Sequence, residues 1–251
     1  MAKQRGIIKL EGTIGDITFQ KTQDGFLAKE KSAIPASRIA TDPAFERTRE
    51  NNAEFGRAGK AGKALRSALR GLLQKAADKR MVSRLTKEMV RVLQADVTNQ
   101  RGQRNVIDGE AELLEGFDFN INGKLGTTLF APYTASIDRV TGEAKVTLAS
   151  FIPGNMVAAP GGTTHFKLFA AGAEVDFETG LFQSSVQESA VLPWDQTPTA
   201  LIDLSNALPA NSPHPLFLVL GIEFMQQVNG SQYPLKNGAF NAMAIVKVSG
   251  V

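Results

Sequence analysis

The 251-residue chain lacks cysteine and has only two histidines. Without cysteine it has no disulfide cross-links, no thiol catalysis and no thiolate metal ligands. His165 and His214 are far apart in the sequence, and neither belongs to a His-x-x-x-His or Glu-x-x-His arrangement, so we interpret both as structural. We therefore expect no metal site, no cofactor, no catalytic residues and no enzymatic activity.

The chain also lacks the glycine-rich and nucleophile motifs of common enzymes. It contains neither a G-x-x-x-x-G-K-[ST] phosphate loop nor a G-x-S-x-G motif. The spacing of Gly56, Gly59 and Gly62 resembles a dinucleotide fingerprint only superficially, because it lacks the G-x-G turn and follows a predicted helix rather than a strand.

Long apolar runs are missing as well. The longest, LFLVLGIEFM at residues 216–225, is far shorter than the roughly 20 residues that span a bilayer, and MAKQRGIIKLEG at the start has no apolar signal core. We expect no membrane insertion and no Sec export. The protein is then either cytoplasmic or released by a non-Sec route as part of an assembly.

Charge, by contrast, is abundant and unevenly distributed. Residues 1–110 carry 22 Lys+Arg against 13 Asp+Glu, whereas residues 111–251 carry 6 against 12, which leaves a formal net charge of only +3. A basic half of this kind suits an external polyanion, and it equally suits the acidic half of a neighbouring subunit.

The first 35 residues predict a small β-structure that serves as an assembly arm. Apolar and polar residues roughly alternate over residues 7–31, and Asp24-Gly25 is a hairpin turn signal. We expect two or three short strands, which are marginal alone and must add to a sheet of the same chain or of a neighbour. The apolar residues expected at this interface are Ile8, Leu10, Ile14, Ile17 and Phe19.

Residues 36–110 form a basic helical region in this interpretation. Asp42-Pro43 supplies an N-cap and a first-turn proline, and helical spacing follows from about residue 43 to 96. The apolar stripe of the first helix comprises Phe55, Ala58, Gly62, Leu65, Leu69, Leu72, Leu73 and Ala76. That of the second comprises Met81, Val82, Leu85, Met89, Val92 and Leu93. Two such helices predict a helical hairpin.

A basic flank, Lys63, Arg66 and Arg70, borders the first stripe. Gly59 and Gly62 each cost about 1 kcal/mol relative to alanine in a helix interior, so we expect a close approach by another helix or strand of the same or a neighbouring chain. No aromatic residues are interleaved with the cations, which makes nucleic acid a less favoured partner, although non-specific phosphate binding stays open.

Residues 111–251 predict an antiparallel β-sandwich or barrel of seven or eight strands. Two Asp-x-x-Thr-Gly tips end at Gly142 and Gly180, and we interpret them as plain turns rather than calcium loops. Trp194 and Asp195 form either a small binding patch or part of the core. The fold class is α+β: an N-terminal β-hairpin, a helical hairpin and an antiparallel β-sandwich.

Four segments carry a resemblance to a known family: EGTIGDITFQKTQDGFLAKEK, RTRENNAEFGRAGKAGKALR, RGQRNVIDGEAELLEGFDFN and HPLFLVLGIEFMQQVNG. In this order they resemble an uncharacterised protein family common in Bacteroidota, over the whole chain. The resemblance implies the same architecture and supplies no catalytic residues.

Together these features favour a structural protein that assembles with itself into a filament, tube or phage-like appendage. Strand addition by the N-terminal segment and contacts between the basic and acidic halves would join the subunits. The assembly interface is then expected to include the N-terminal apolar residues and Gly59, Gly62, Lys63, Arg66 and Arg70. A nucleic-acid-associated protein and a β-sandwich that binds a glycan or another partner are the alternatives.

Overall fold

The computed structural model describes residues 1–31 and 34–250. It divides the chain into two compact units, Met1–Arg49 and Glu50–Val251. The chain contains helices together with several antiparallel sheets, so the predicted α+β class is confirmed.

The first unit contains a four-stranded antiparallel sheet where the sequence predicts two or three strands. Its strands are β1 (Ala2–Lys3), β2 (Gly12–Ile14), β3 (Ile17–Thr22) and β4 (Gly25–Glu30), in the order β1-β4-β3-β2. The predicted turn at Asp24-Gly25 joins β3 to β4, and Gly25 has a φ of +110°, which favours glycine.

A short helix, α1 (Ala36–Thr41), precedes the predicted cap. Asp42 caps a short 3-10 helix, Pro43–Phe45, by accepting a hydrogen bond from the Ala44 backbone N–H at 3.0 Å. Pro43 occupies the first position of this helix, as predicted. The bond from Ala44, together with one from Arg38, lowers the pKa of Asp42.

The predicted helical hairpin is confirmed and consists of α2 (Glu46–Ala68), the short α3 (Arg70–Leu73) and α4 (Met81–Gln94). Most of the predicted stripe is buried or partly buried, but two of its members are not. Phe55 is 62% exposed and Val82 is 43% exposed, so both predictions of core positions were wrong. Phe55 lies at the border of its stripe, where a small error in helical angle moves a side chain into solvent. Val82 lies within its stripe but in the first turn of α4, next to the helix start at Met81.

The remaining chain forms two antiparallel sheets. The strands are β5 (Tyr133–Asp138), β6 (Glu143–Leu148), β7 (His165–Val175), β8 (Phe182–Glu188), β9 (Leu192–Pro193), β10 (Ile202–Ala207), β11 (Leu216–Val228), β12 (Ser231–Pro234) and β13 (Ala242–Ser249). Two single-turn helices accompany them: α5 (Leu125–Thr128) precedes β5, and α6 (Pro153–Met156) lies between β6 and β7. Gly142 and Gly180 have φ values of +78° and +79°, which confirms both predicted turn tips.

One sheet has three strands in the order β10-β6-β5. The other sheet has six strands. Four of them follow the order β12-β11-β7-β8, while β13 also pairs with β11 and β9 also pairs with β7. Inward-facing residues of both sheets pack into one hydrophobic cluster, which confirms the predicted sandwich, although nine strands are described where the sequence predicts seven or eight.

The six-stranded sheet is also covered on its other face, by the helical hairpin. Phe169, Ala171 and Phe217 belong to a hydrophobic cluster with α2 and α4, whereas Leu168 and Leu218 belong to the cluster with the three-stranded sheet. Alternate residues of β7 and β11 therefore serve different cores. The domain boundaries predicted between residues 35 and 36 and between residues 110 and 111 remain predictions. The helical region and the sandwich nevertheless share one hydrophobic core, the one between the helical hairpin and the six-stranded sheet.

One glycine sets the packing on the helix side of this sheet. Gly221 on β11 pairs directly with Phe169 on β7, and a Cβ at Gly221 would lie 2.2 Å from the Phe169 ring. The ring thus lies across the strand where a side chain would otherwise stand, and Phe169 is fully buried.

We predict that Gly221→Ala lowers the free energy of unfolding by about 1–3 kcal/mol, since the added methyl group overpacks a closed core. Gly126→Ala is the matched control, because a Cβ there meets no atom within 4 Å. Urea unfolding followed by circular dichroism measures both. A Gly221→Ala variant as stable as the unsubstituted protein would contradict this packing.

Candidate assembly surfaces

The N-terminal sheet has one mainly apolar face, which we call the N-terminal face: Ile14, Ile17, Phe19, Phe26 and Ala28, with Lys21 and Glu30 at its two ends. Ile14 pairs with Ile17 and Phe19 pairs with Ala28, so that these side chains point the same way. Ile14 is 64% exposed and Ile17 is 47% exposed. Phe19 and Phe26 are only half-buried. Three of the residues predicted for the interface thus lie together on an exposed face.

The opposite face of this sheet is polar, with Thr13 opposite Thr18 and Gln20 opposite Leu27. None of residues 1–31, all of which are described, is buried. An amphipathic sheet of this size without buried side chains has little stabilisation of its own, because the hydrophobic effect requires that apolar surface leave water.

The other two predicted interface residues, Ile8 and Leu10, lie in the connection between β1 and β2 rather than in a strand. They are 80% and 41% exposed. Polar bonds shape this connection: the Leu10 backbone N–H donates to Gln4 Oε1 at 2.9 Å, and Lys9 Nζ donates to the carbonyl of Gln4 at 2.6 Å. The alternation that predicted strand here was therefore outweighed by local side chain–backbone bonds.

The six-stranded sheet ends on one side at β8, which pairs with β7 alone among the described strands. The β13 edge, by contrast, is covered by a segment at 116–119. There the Gly116 backbone N–H donates to the Ile245 carbonyl at 2.8 Å, and Phe119 donates to the Met243 carbonyl at 2.8 Å. The outer edge of β8 is thus open to an added strand.

Apolar side chains border this open edge. Phe182 and Val186 pair with Val175 and Ala171, which places them on the helix side of the sheet. They are nevertheless 46% and 45% exposed, so the helical layer does not cover them. We call Phe182 and Val186 the β8 strip.

An acidic hollow of about 400 Å³ adjoins the start of β8. Its lining comprises Glu174, Asp176, Leu181, Phe182, Gln183 and His214. The Asp176 carboxylate bonds the Thr179 hydroxyl and the backbone N–H groups of Glu178 and Thr179, which lowers the pKa of Asp176. These bonds are those of the plain turn that the sequence predicts.

The predicted basic flank forms one wall of a groove of about 420 Å³ beside α2 and α3, which we call the basic groove. Its lining comprises Lys63, Arg66, Ser67, Arg70, Leu73, Gln74, Ala77 and Met81. Lys63 and Arg70 are exposed, and Arg66 Nε donates to the Gly62 carbonyl at 3.1 Å. Within the described part of the chain, no acidic side chain pairs with these three cations.

The two glycines of the predicted interface differ in their surroundings. A Cβ at Gly62 would touch Leu85 and Met89 at 3.8 Å, so Gly62 already packs against α4 of its own chain. A Cβ at Gly59 would meet no atom within 4 Å, and Gly59 is half-buried. Of the two, Gly59 alone leaves space for a further molecule. The neighbour of Gly62 is a helix of its own chain.

The remaining polar candidates have local roles. His165 Nδ1 lies 2.9 Å from the Thr164 hydroxyl, and Trp194 packs on the sandwich core while its indole N–H donates to the Val157 carbonyl at 3.1 Å. Among residues 1–31 and 34–250, no group of three or more His, Asp or Glu side chains is placed to hold a metal ion. No described helix has the length and apolar character needed to cross a bilayer.

Ion pairs tie β8 to the rest of the second unit. Lys167 Nζ lies 2.7 Å from Glu188, and Lys75 Nζ lies 3.5 Å from both Glu188 and the buried Glu223. The hydrogen bond from Lys167 lowers the pKa of Glu188. The end of β8 is therefore fixed in place although its outer edge is open.

The β8 strip and its open edge were missed by the sequence interpretation. The alternation of Phe182 and Val186 with serine and glutamine predicts a strand, but nothing in it indicates which edge lacks a partner. That property depends on strand order, which long-range pairing decides.

No family model, no curated protein and no solved structure matches the chain. Any indication of function therefore comes from the surfaces of the protein itself.

We predict that Glu188→Gln lowers the free energy of unfolding by about 0.5 kcal/mol near neutral pH, since exposed ion pairs contribute little. Because the pKa of Glu188 is lowered in the folded protein, its contribution is present above the unfolded value near 4.5 and is lost as pH falls through the folded value. The difference between variant and unsubstituted protein should therefore vanish in acid.

Urea unfolding at a series of pH values measures the difference in the free energy of unfolding. The control is Glu178→Gln, in the turn at the opposite end of β8. A Glu188→Gln effect that persists unchanged at low pH would show that its carboxylate charge is not involved.

Proposed function

We propose that the protein is a non-enzymatic structural subunit that assembles with copies of itself into a homopolymer, such as a filament, a tube or a phage-like appendage. The observation that carries this proposal is the N-terminal sheet. It exposes an apolar face, buries none of its residues and belongs to a separate compact unit. Such a sheet gains stability by joining another sheet.

The β8 edge of a second copy is the partner that fits best. An edge strand of the N-terminal sheet, β2, can pair with the open edge of β8 through backbone hydrogen bonds. This pairing would extend one apolar surface, since Ile14 and Ile17 would continue the row of Phe182 and Val186. Both strips would then leave water at the same contact.

The N-terminal sheet and the β8 edge are different surfaces, so the contact is head-to-tail. Head-to-tail contacts that do not close on themselves propagate into fibres or tubes.

A nucleic-acid-associated protein is the second candidate, favoured by the unpaired cations of the basic groove. Salt-sensitive, sequence-independent retention on duplex DNA is its expected property. The glycan-binding alternative is not proposed, since the single tryptophan packs on the sandwich core.

Deletion of residues 1–31 should leave a folded protein that no longer assembles. The second unit holds both hydrophobic clusters, so its fold does not depend on the N-terminal sheet. Light scattering measures particle size and circular dichroism measures the fold, for the full-length and truncated chains at equal concentration.

Two results would contradict this account in different ways. A full-length chain that stays monomeric across concentration and salt would end the polymer proposal. If truncation instead unfolds the remainder, the strands complete the core of their own chain, and strand exchange is the wrong mechanism.

Val186→Lys should reduce assembly strongly while leaving the fold intact, because it places a charge on the β8 strip where an apolar strand would add. Thr134→Lys, on the exposed face of β5, is the matched control and should assemble normally. Sedimentation velocity at several concentrations compares the two. Equal sedimentation of both variants and the unsubstituted chain would exclude β8 as the acceptor.

A further inference from the structure

We infer that the basic groove and the acidic hollow of the second unit bind each other in neighbouring copies, as a subunit contact separate from strand addition. The inference rests on the proposed function, because it names a second surface for the same assembly. Both surfaces lie in the unit Glu50–Val251, and each is concave and lined by charge of one sign.

The basic groove differs from the sites of this unit where a cation lies beside a carboxylate. The cations at those sites are Lys75, Arg84, Arg91, Arg101, Lys145, Lys167 and Lys247. Lys63, Arg66 and Arg70 lie together without a carboxylate among the described residues. Like charges held side by side repel, and this repulsion is relieved when an anion lies between them.

Among the described residues of the same chain, no carboxylate supplies that anion. No described ion pair joins the basic groove to the acidic hollow, and both are built on packed elements, the hollow on β7 and β8 and the groove on α2 and α3. A second copy therefore has to provide the carboxylates. Because the two surfaces are different patches, this contact is also head-to-tail and has the direction that an open polymer requires.

The apolar parts of the two surfaces favour a protein partner over nucleic acid. The groove includes Leu73 and Met81, and the hollow exposes Leu181 (70%), which is not part of the β8 strip. No aromatic side chain lines the groove, so it offers no platform for stacking bases. Apolar surface mixed with charge of opposite sign is the usual composition of a subunit contact.

Gly59 extends the groove. Gly59, Lys63, Arg66 and Arg70 follow one another at intervals of four, three and four residues, which places them on one side of the helical segment. Since Gly59 has no side chain and open space in front of it, a neighbouring chain can approach α2 closely there.

Two charge-reversed variants of the full-length chain test the contact. The first, Lys63→Glu with Arg70→Glu, makes the groove negative and leaves the hollow unchanged. The second, Glu178→Lys with Gln183→Lys, adds two lysines at the hollow, one in its lining and one on the adjoining turn, and leaves the groove unchanged. All four positions are exposed, and the control variant is Lys87→Glu with Lys124→Glu, which reverses two exposed cations outside the groove.

Each reversed variant alone should assemble at least tenfold less than the unsubstituted chain, because like charges meet at its contact. An equimolar mixture should assemble again into alternating polymers, since the groove of each variant then meets a hollow of opposite charge. The control should behave as the unsubstituted chain. Sedimentation velocity and electron microscopy of the two variants, the mixture and the control provide the readout.

The outcomes separate this inference from the proposed function. If the unsubstituted chain polymerises and neither reversal changes it, the groove is not a subunit contact, although strand addition can still stand. If the reversals abolish assembly but Val186→Lys does not, the groove contact holds and strand addition at β8 fails. A mixture that stays unassembled, or salt-sensitive DNA retention lost on reversing the groove, would overturn the inference and favour nucleic acid.

Discussion

The structure of the second unit depends on one constraint: the central strands of its six-stranded sheet, β7 and β11, are buried on both faces over most of their length. They supply alternate side chains to a helical layer and to a three-stranded sheet, so most of their apolar residues have packing partners. Burial on both sides explains the nearly unbroken apolar run of β11, because a strand with one face in solvent would carry a polar residue at every second position. It also explains why Gly221 must lack a side chain, since the Phe169 ring occupies that space.

This arrangement has a consequence at the margin of the sheet. The helical layer covers the central strands and leaves Phe182 and Val186 on β8 partly in water. On the opposite side, the segment at 116–119 covers the edge of β13. The sheet is thus covered along β13 and open along β8, and the β8 edge lies beside the acidic hollow. An N-terminal sheet with an apolar face and no core of its own is suited to such a margin.

Local signals in the sequence predicted much of this fold. Asp42-Pro43, Asp24-Gly25 and the glycines at 142 and 180 act through backbone geometry within a few residues, and each lies where the sequence predicted it. The sequence did not reveal the shared core, the covered β13 edge or the open β8 edge. These depend on which strands pair over long distances, and periodicity carries no information about strand order. The basic flank was predicted as a set, but only the folded chain shows that its cations lie together without carboxylates.

Self-association through different surfaces of one subunit is the central claim of this account. Electron microscopy of the purified full-length protein over a range of concentrations tests it most directly. The account predicts unbranched polymers of uniform width that lengthen as concentration rises. Isolated single subunits at every concentration would contradict it.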